Sequence, residues 1–166
     1  MCGRYRLTAK DPYLRDHLGL DEDPAWTPRW NSAPTQLVPI VRHKSVSSTR
    51  SFDLVRWGLI PSWAKDPSIA TKTINAMSKQ RPESLRSATR CACDAVSSGP
   101  AASTSDSGTV SKQKQPFSIG MAYESTFSFA GLWESWTDPG GDIVETCTIL
   151  TATPNALVAD FITGCR

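Results

Sequence analysis

The sequence predicts an α+β chain that is mostly β, with short helices at its periphery. Three observations carry this. Runs rich in β-branched and aromatic residues recur at Leu37–His43, Phe52–Trp57, Phe127–Trp133 and Val144–Thr151. Proline and glycine turn signals separate them, as in Gly58–Pro67 and in Asp138-Pro139-Gly140-Gly141. Helical signals, by contrast, are confined to two short segments.

In chain order, Gly3–Leu7 reads as a short strand. A helix follows that Asp11 caps, Pro12 starts and Gly19 ends, with Tyr13, Leu14 and Leu18 as its apolar side. A proline-rich loop leads into the two strands Leu37–His43 and Phe52–Trp57. Further on, Phe117–Tyr123, Phe127–Trp133 and Val144–Thr151 read as three consecutive strands, and Thr153-Pro154 opens a second helix carrying Leu157, Val158 and Phe161. Between these coherent parts, Asp94 to Gln115 is dominated by Ser, Ala, Gly, Thr and Lys. Such a composition cannot supply a buried strand, so 94–115 is expected to be a disordered or aberrant segment within one domain spanning 1–166.

Composition bounds the function. A chain of 166 residues, 39% hydrophobic and 20% charged, can bury one core. The formal charge of +2 neither demands nor excludes nucleic acid, because a local basic groove matters more than the total. Arg4, Arg6, Lys10, Asp11, Arg15 and Asp16 interrupt the first twenty residues, and no apolar run reaches membrane-spanning length. A cytoplasmic protein with no membrane partner is therefore expected, and its five cysteines, an odd count, point to reduced thiols.

Cys2 carries the chemistry. Removing Met1 leaves a cysteine with a free α-amine, a 1,2-aminothiol whose amine (pKa about 8) and thiol (about 8.5) are both partly deprotonated near neutral pH. An aldehyde meeting this group is attacked by the amine, and the sulfur can then close a five-membered ring. The competing reading of Cys2 is simply a small residue at a start site. Other chemistries find little support. Cys91-Ala92-Cys93 has the wrong spacing for a zinc knuckle, Cys147 and Cys165 lie far off, and no metal is expected. No phosphate loop or dinucleotide fingerprint occurs, so no cofactor is expected. His17 and His43 are poorly placed for a serine triad. An N-terminal-nucleophile amidase would also use Cys2, but without a visible base.

Five segments stand in a telling order: Met1-Cys2-Gly3-Arg4-Tyr5, Arg29-Trp30-Asn31-Ser32-Ala33-Pro34, Arg56 to Lys65, Thr73-Ile74-Asn75-Ala76, and Phe129-Ala130-Gly131-Leu132-Trp133-Glu134. In these the chain resembles the SOS response-associated peptidase family, the abasic site processing proteins. The resemblance implies a compact barrel or sheet fold with a positive cleft for single-stranded DNA carrying abasic sites. It implies that Cys2 captures the ring-opened sugar aldehyde as a thiazolidine, and that residues ahead of Cys2 are removed autocatalytically. Asn75 would then polarise the sugar or the α-amine with a neutral amide, a turn-capping asparagine being the alternative. Arg4 would meet a phosphate, since residues 2, 4 and 6 share one face of a strand. Trp63 would stack on or wedge between bases, Pro34 would make a rigid apolar contact, and Trp57 and Trp133 would be core residues. Arg4, Arg29, Lys65 and Lys72 are expected to line the DNA groove of a monomer.

Departures from the family pattern are as specific. Met77 stands where the pattern has arginine, no glutamate occurs between Glu83 and Glu124, and the chain ends Phe161-Ile162-Thr163-Gly164-Cys165-Arg166 where the pattern has Ile-His-Arg-Met-Pro. Deleting one C from codons for that pentapeptide yields Ile-Thr-Gly-Cys-Arg, so a shifted, truncated terminus is hypothesised. Gene sequence lacking an Arg-Met-Pro frame after Phe161 would dismiss the idea. The chain is thus expected to be an impaired crosslinking enzyme, or alternatively a single-stranded DNA-binding module with little chemistry.

Overall fold

A computed structural model describes residues 3–43, 50–78, 95–98, 121, 125–153 and 155. Strands dominate, with one α-helix and one 3₁₀ segment among the described residues. The first strand, β1 (Tyr5–Leu7), pairs antiparallel with β2 (Arg29–Ser32), a strand that lies in what the sequence suggested was a loop. Only Ser32 of β2 is buried, so the segment lacks the alternation that would have revealed it. Between them runs α1 (Asp11–Leu18). Its N-cap is Lys10, not Asp11, because Lys10 takes the extended backbone (φ −86°, ψ 156°) and the helix begins one residue later. Gly19 ends it in the left-handed conformation, as expected. Leu14 and Leu18 face the core, whereas Tyr13 is exposed and stacks on the His17 ring one turn away.

The main sheet is organised by β9 (Ile143–Thr151). One edge of β9 pairs antiparallel with β8 (Gly131–Thr137). Its other edge is shared in succession by β4 (Arg50–Trp57), parallel at Thr146–Cys147, and by β5 (Asn75–Met77), parallel at Ile149–Thr151. Outside β4 lies β3 (Leu37–His43), in antiparallel register from Leu37↔Arg56 to His43↔Arg50. A separate ladder joins β6 (Ala95–Ser98) to β7 (Thr126–Phe129). Two sequence expectations change here. The strand expected at Phe127–Trp133 breaks at Ala130, whose carbonyl accepts Leu150 N–H while the chain passes from the β6–β7 ladder into the main sheet. Within the segment of low-complexity composition, Ala95–Ser98 forms a strand. The sheets are open, with no barrel closure among the described residues.

The core packs between these layers: Tyr5 and Leu7 from β1, Leu14 and Leu18 from α1, Val38 and Ile40 from β3, Trp57 from β4, Cys147 and Ile149 from β9. Each such burial contributes about 1.5–3 kcal/mol before chain entropy is charged against it. On another part of the sheet Arg42 forms a bidentate pair with Glu145 (2.8 and 2.9 Å), reaches Asp53 at 2.7 Å, and lies 4.3 Å from the centre of the Trp133 ring. The Glu145 hydrogen bonds, opposed by partial burial, drive the Arg42 pKa upward, so this cluster stays charged and ties β3, β4, β8 and β9 together. Trp133 is half-buried and packs against the core, and Trp57 is fully buried. No helix among the described residues is long and apolar enough to cross a membrane. The expected strand at Phe117–Tyr123, apart from the exposed Met121, the expected helix after Pro154 and the segment 162–166 lie outside the described residues.

Candidate nucleic-acid interface

Three motifs that are distant in sequence converge on one buried residue, Trp57. Its ring meets Tyr5 at 5.4 Å, which places Arg4 at the outer start of β1. Its backbone carbonyl accepts Thr35 N–H at 2.7 Å and its N–H donates to Gln36 O at 3.0 Å, clamping the turn that holds Pro34. Thr35 completes that turn with φ 72°, a left-handed conformation that β-branched residues seldom adopt and that these two bonds hold in place. The indole N–H donates to Ile74 O at 2.9 Å, which fixes the residue before Asn75. A residue expected only to fill the core is thus the post on which Arg4, Pro34 and Asn75 are hung. The sequence signal was present in retrospect: Trp57 adjoins Gly58, and both lie inside a motif.

Gly58 begins the segment that presents Trp63. Its φ is 123°, and a Cβ at this position would lie 2.6 Å from Ala70 O, so the backbone of the 3₁₀ segment Pro67–Thr71 closes directly over a residue without a side chain. Beyond Gly58 the chain is held from below by polar groups. Thr146 Oγ1 accepts Ile60 N–H at 2.9 Å, Glu134 Oε1 accepts Ser62 N–H at 3.0 Å, and Trp136 Nε1 donates to Ala64 O at 2.6 Å. Glu134 is 6% exposed, so its carboxylate is a buried anchor for the turn. Ile60, Ala64, Ala70 and Trp136 form an apolar cluster on the underside. Trp63, 56% exposed, rises from this fixed base.

The sequence-derived site residues fall out as follows. Arg4 is exposed and donates to Asn31 Oδ1 at 3.1 Å; Pro34 and Asn75 are half-buried; Trp63 is exposed, and Cys2 lies outside the described residues. Met77, the residue in place of the family arginine, is exposed at the end of β5. Of the four cations expected to line the DNA groove, Arg4 hydrogen-bonds Asn31 and the other three line two hollows. Lys65 and Lys72 flank Trp63 together with Asp66, whereas Arg29 lines a groove with Trp30, Asn31, Gln36 and Leu37. The Ser68 hydroxyl and amide hold the Asp66 carboxyl below its ordinary range, so a negative charge offsets part of the lysine field. Burial pushes the Cys147 thiol up to about 12, which removes it as a nucleophile. No group of metal-ligating residues occurs among those described.

This arrangement, exposed indoles and cations on a rigid base, suits a flexible anion with flat aromatic groups. Comparison with known proteins follows the same line. The model of the SOS response associated peptidase (SRAP) family matches residues 1–95 and 104–162. The chain belongs to this family. It is 34% identical to the abasic site processing protein YoqW of Bacillus subtilis (strain 168), and the match covers 96% of this chain and 72% of that protein. YoaM and YobE of the same strain, also abasic site processing proteins, are 33% and 31% identical, covering 71% and 74% of their lengths. Among solved structures, a protein from Bacteroides thetaiotaomicron superposes with a TM-score of 0.80 at 23% identity, over 98% of this chain and 73% of that one. One from Bordetella bronchiseptica gives 0.74 at 20% identity, over 99% and 80%. These two likenesses concern the fold alone. They agree with a SRAP fold built of strands.

Proposed function

We propose that this SRAP protein processes abasic sites in single-stranded DNA, capturing the sugar aldehyde through Cys2. The supporting observation is the convergence on Trp57 of Tyr5 beside Arg4, the Pro34 turn and the Asn75 strand, three motifs that the family resemblance implies at a DNA cleft. In the proposed reaction Met1 is first hydrolysed away. The Cys2 amine adds to the C1′ aldehyde of the opened sugar and water leaves, forming an imine. The Cys2 thiolate then adds to the imine carbon and the nitrogen takes up a proton. One C–N and one C–S bond form, and the aldehyde oxygen departs as water. Asn75 stabilises polar groups at the reacting sugar, Arg4 meets a neighbouring phosphate, and Trp63 stacks on or between bases.

No glutamate stands between Glu83 and Glu124 and Thr163 stands where the family pattern has histidine, so capture would lack general acid and base assistance worth about 10²- to 10⁴-fold from those positions. Slow capture is the expected outcome. Incubation with single-stranded DNA bearing one abasic site should give a denaturation-resistant adduct that Cys2→Ser removes, while Cys147→Ser leaves it unchanged. An equal yield from Cys2→Ser would refute the reaction. The second reading, a DNA-binding module without capture, is favoured by Met77 in place of the arginine; binding without any adduct would establish it.

A further inference from the structure

The most exposed indole in the described part of the chain has no part in the reading above. Trp30 is 70% exposed on β2, in a protein whose other large apolar rings mostly line the core. An exposed tryptophan forgoes about 2–3 kcal/mol of burial, and what its ring can bind is set by its surroundings. Arg6 lies 5.5 Å from the centre of the Trp30 ring, and Arg4, two residues earlier, donates to Asn31, the residue after Trp30. The β1–β2 ladder therefore sets one exposed flat ring, Trp30, among the cations Arg4, Arg6 and Arg29. The adjoining groove, formed by Arg29, Trp30, Asn31, Gln36 and Leu37, includes no carboxylate among the described residues. That charge pattern fits a polyanion with aromatic bases and disfavours an acidic-residue-poor apolar peptide.

Location gives the second argument. Four peptide units separate residue 2 from residue 6 and span at most about 14 Å. Trp30, under Arg6, thus stands within a few nucleotides of whatever sugar Cys2 captures.

We propose that Trp30 is a base-stacking platform for the unpaired strand flanking the abasic site, with Arg4 and Arg6 meeting its phosphates. The proposal rests on the DNA reading above and adds a second contact surface to it, on the opposite side of the Trp57 post from Trp63's supporting loop in the chain's connectivity. A base laid on the accessible surface of the ring extends the existing Arg6–Trp30 stack. Such contact needs unpaired bases, so it selects single-stranded flanks over duplex ones.

The test compares the full-length protein with Trp30→Ala and Trp30→Phe in binding to oligothymidylate, and to a backbone of the same length whose bases are replaced by tetrahydrofuran spacers. On oligothymidylate, Trp30→Ala should bind about 5- to 150-fold more weakly and Trp30→Phe should retain most of the affinity. On the spacer backbone all three should bind alike, a result that a merely structural role for Trp30 would not give. Thermal melts should coincide, since the side chain is outside the core. Parent-like binding of Trp30→Ala to oligothymidylate would overturn this proposal alone. An equal loss on both backbones would also overturn it, by making Trp30 a support for phosphate contacts. Failure of the parent itself to bind either backbone would remove the DNA reading, and this proposal with it.

Discussion

Trp30 and Trp63 are both exposed indoles beside cations, yet the molecule holds them by opposite means. Trp63 stands on a loop fastened from beneath by buried polar groups, Glu134, Thr146 and the Trp136 indole, and by the close approach of Gly58 to Ala70. Trp30 lies on a two-stranded ladder whose outer face is in water, with Arg6 and Asn31 as its neighbours. The difference teaches that Trp63 is presented by a loop with its own buried polar and apolar underside, whereas Trp30 is presented by a ladder whose inner residues, Tyr5 and Leu7, belong to the main core. Damage to the polar underside should reach Trp63 first, whereas the Trp30 side chain can be removed without touching the fold.

The largest effect should come from Gly58→Ala. The left-handed φ and a contact of 2.6 Å with backbone that cannot move freely predict a loss of about 3–5 kcal/mol, read as a lowered denaturant midpoint. If Gly58→Ala melts like the parent, the loop is not held as described. Next, Glu134→Ala leaves Ser62 N–H without its acceptor and should cost about 1–3 kcal/mol, with Glu134→Gln recovering part because its amide oxygen can still accept. Hydrogen exchange should quicken at Ser62 and stay unchanged along β2; a uniform change would erase the contrast between the two regions.

Cys147 bears on the same side, since its carbonyl accepts Gly58 N–H. Its thiol is raised from 9.0 to about 12 by burial, so the folded state keeps a proton that the unfolded chain gives up first. Stability from this group is whole below about pH 9 and declines as pH rises towards about 12. Cys147→Ala should flatten that alkaline decline in urea melts. The smallest effect belongs to Met77→Arg, which restores a cation at an exposed position. Affinity for single-stranded DNA should rise and the salt slope should steepen by about 0.7, one more phosphate neutralised. An unchanged slope would place Met77 away from the DNA path.

Much of the fold was legible because its signals are local. The runs Leu37–His43 and Val144–Thr151 are rich in apolar and β-branched residues as buried strands are, and Gly19 ends α1 through the left-handed geometry glycine favours. What escaped depended on distant partners. β2 buries one residue in four, so its pairing with β1 left no periodicity to read. The break at Ala130 arises from its bond to Leu150, twenty residues away in sequence but adjacent across the sheet. Of the tryptophans, Trp57 was expected in the core and is buried there, but its role as the post for other motifs and the exposure of Trp30 on β2 emerge only from the assembled sheet. The motif residues Arg4, Pro34, Trp63 and Asn75 were identified through the family resemblance, and their support by Trp57 and Glu134 was not.

The account stands on where the DNA is joined. The decisive measurement is peptide mapping by tandem mass spectrometry of the adduct formed with single-stranded abasic DNA in the absence of any reductant. The predicted result is an N-terminal peptide beginning at Cys2, without Met1, carrying the sugar with loss of one water. An adduct trapped only with borohydride, or mapped to a lysine such as Lys65 or Lys72, would contradict capture by the N-terminal aminothiol.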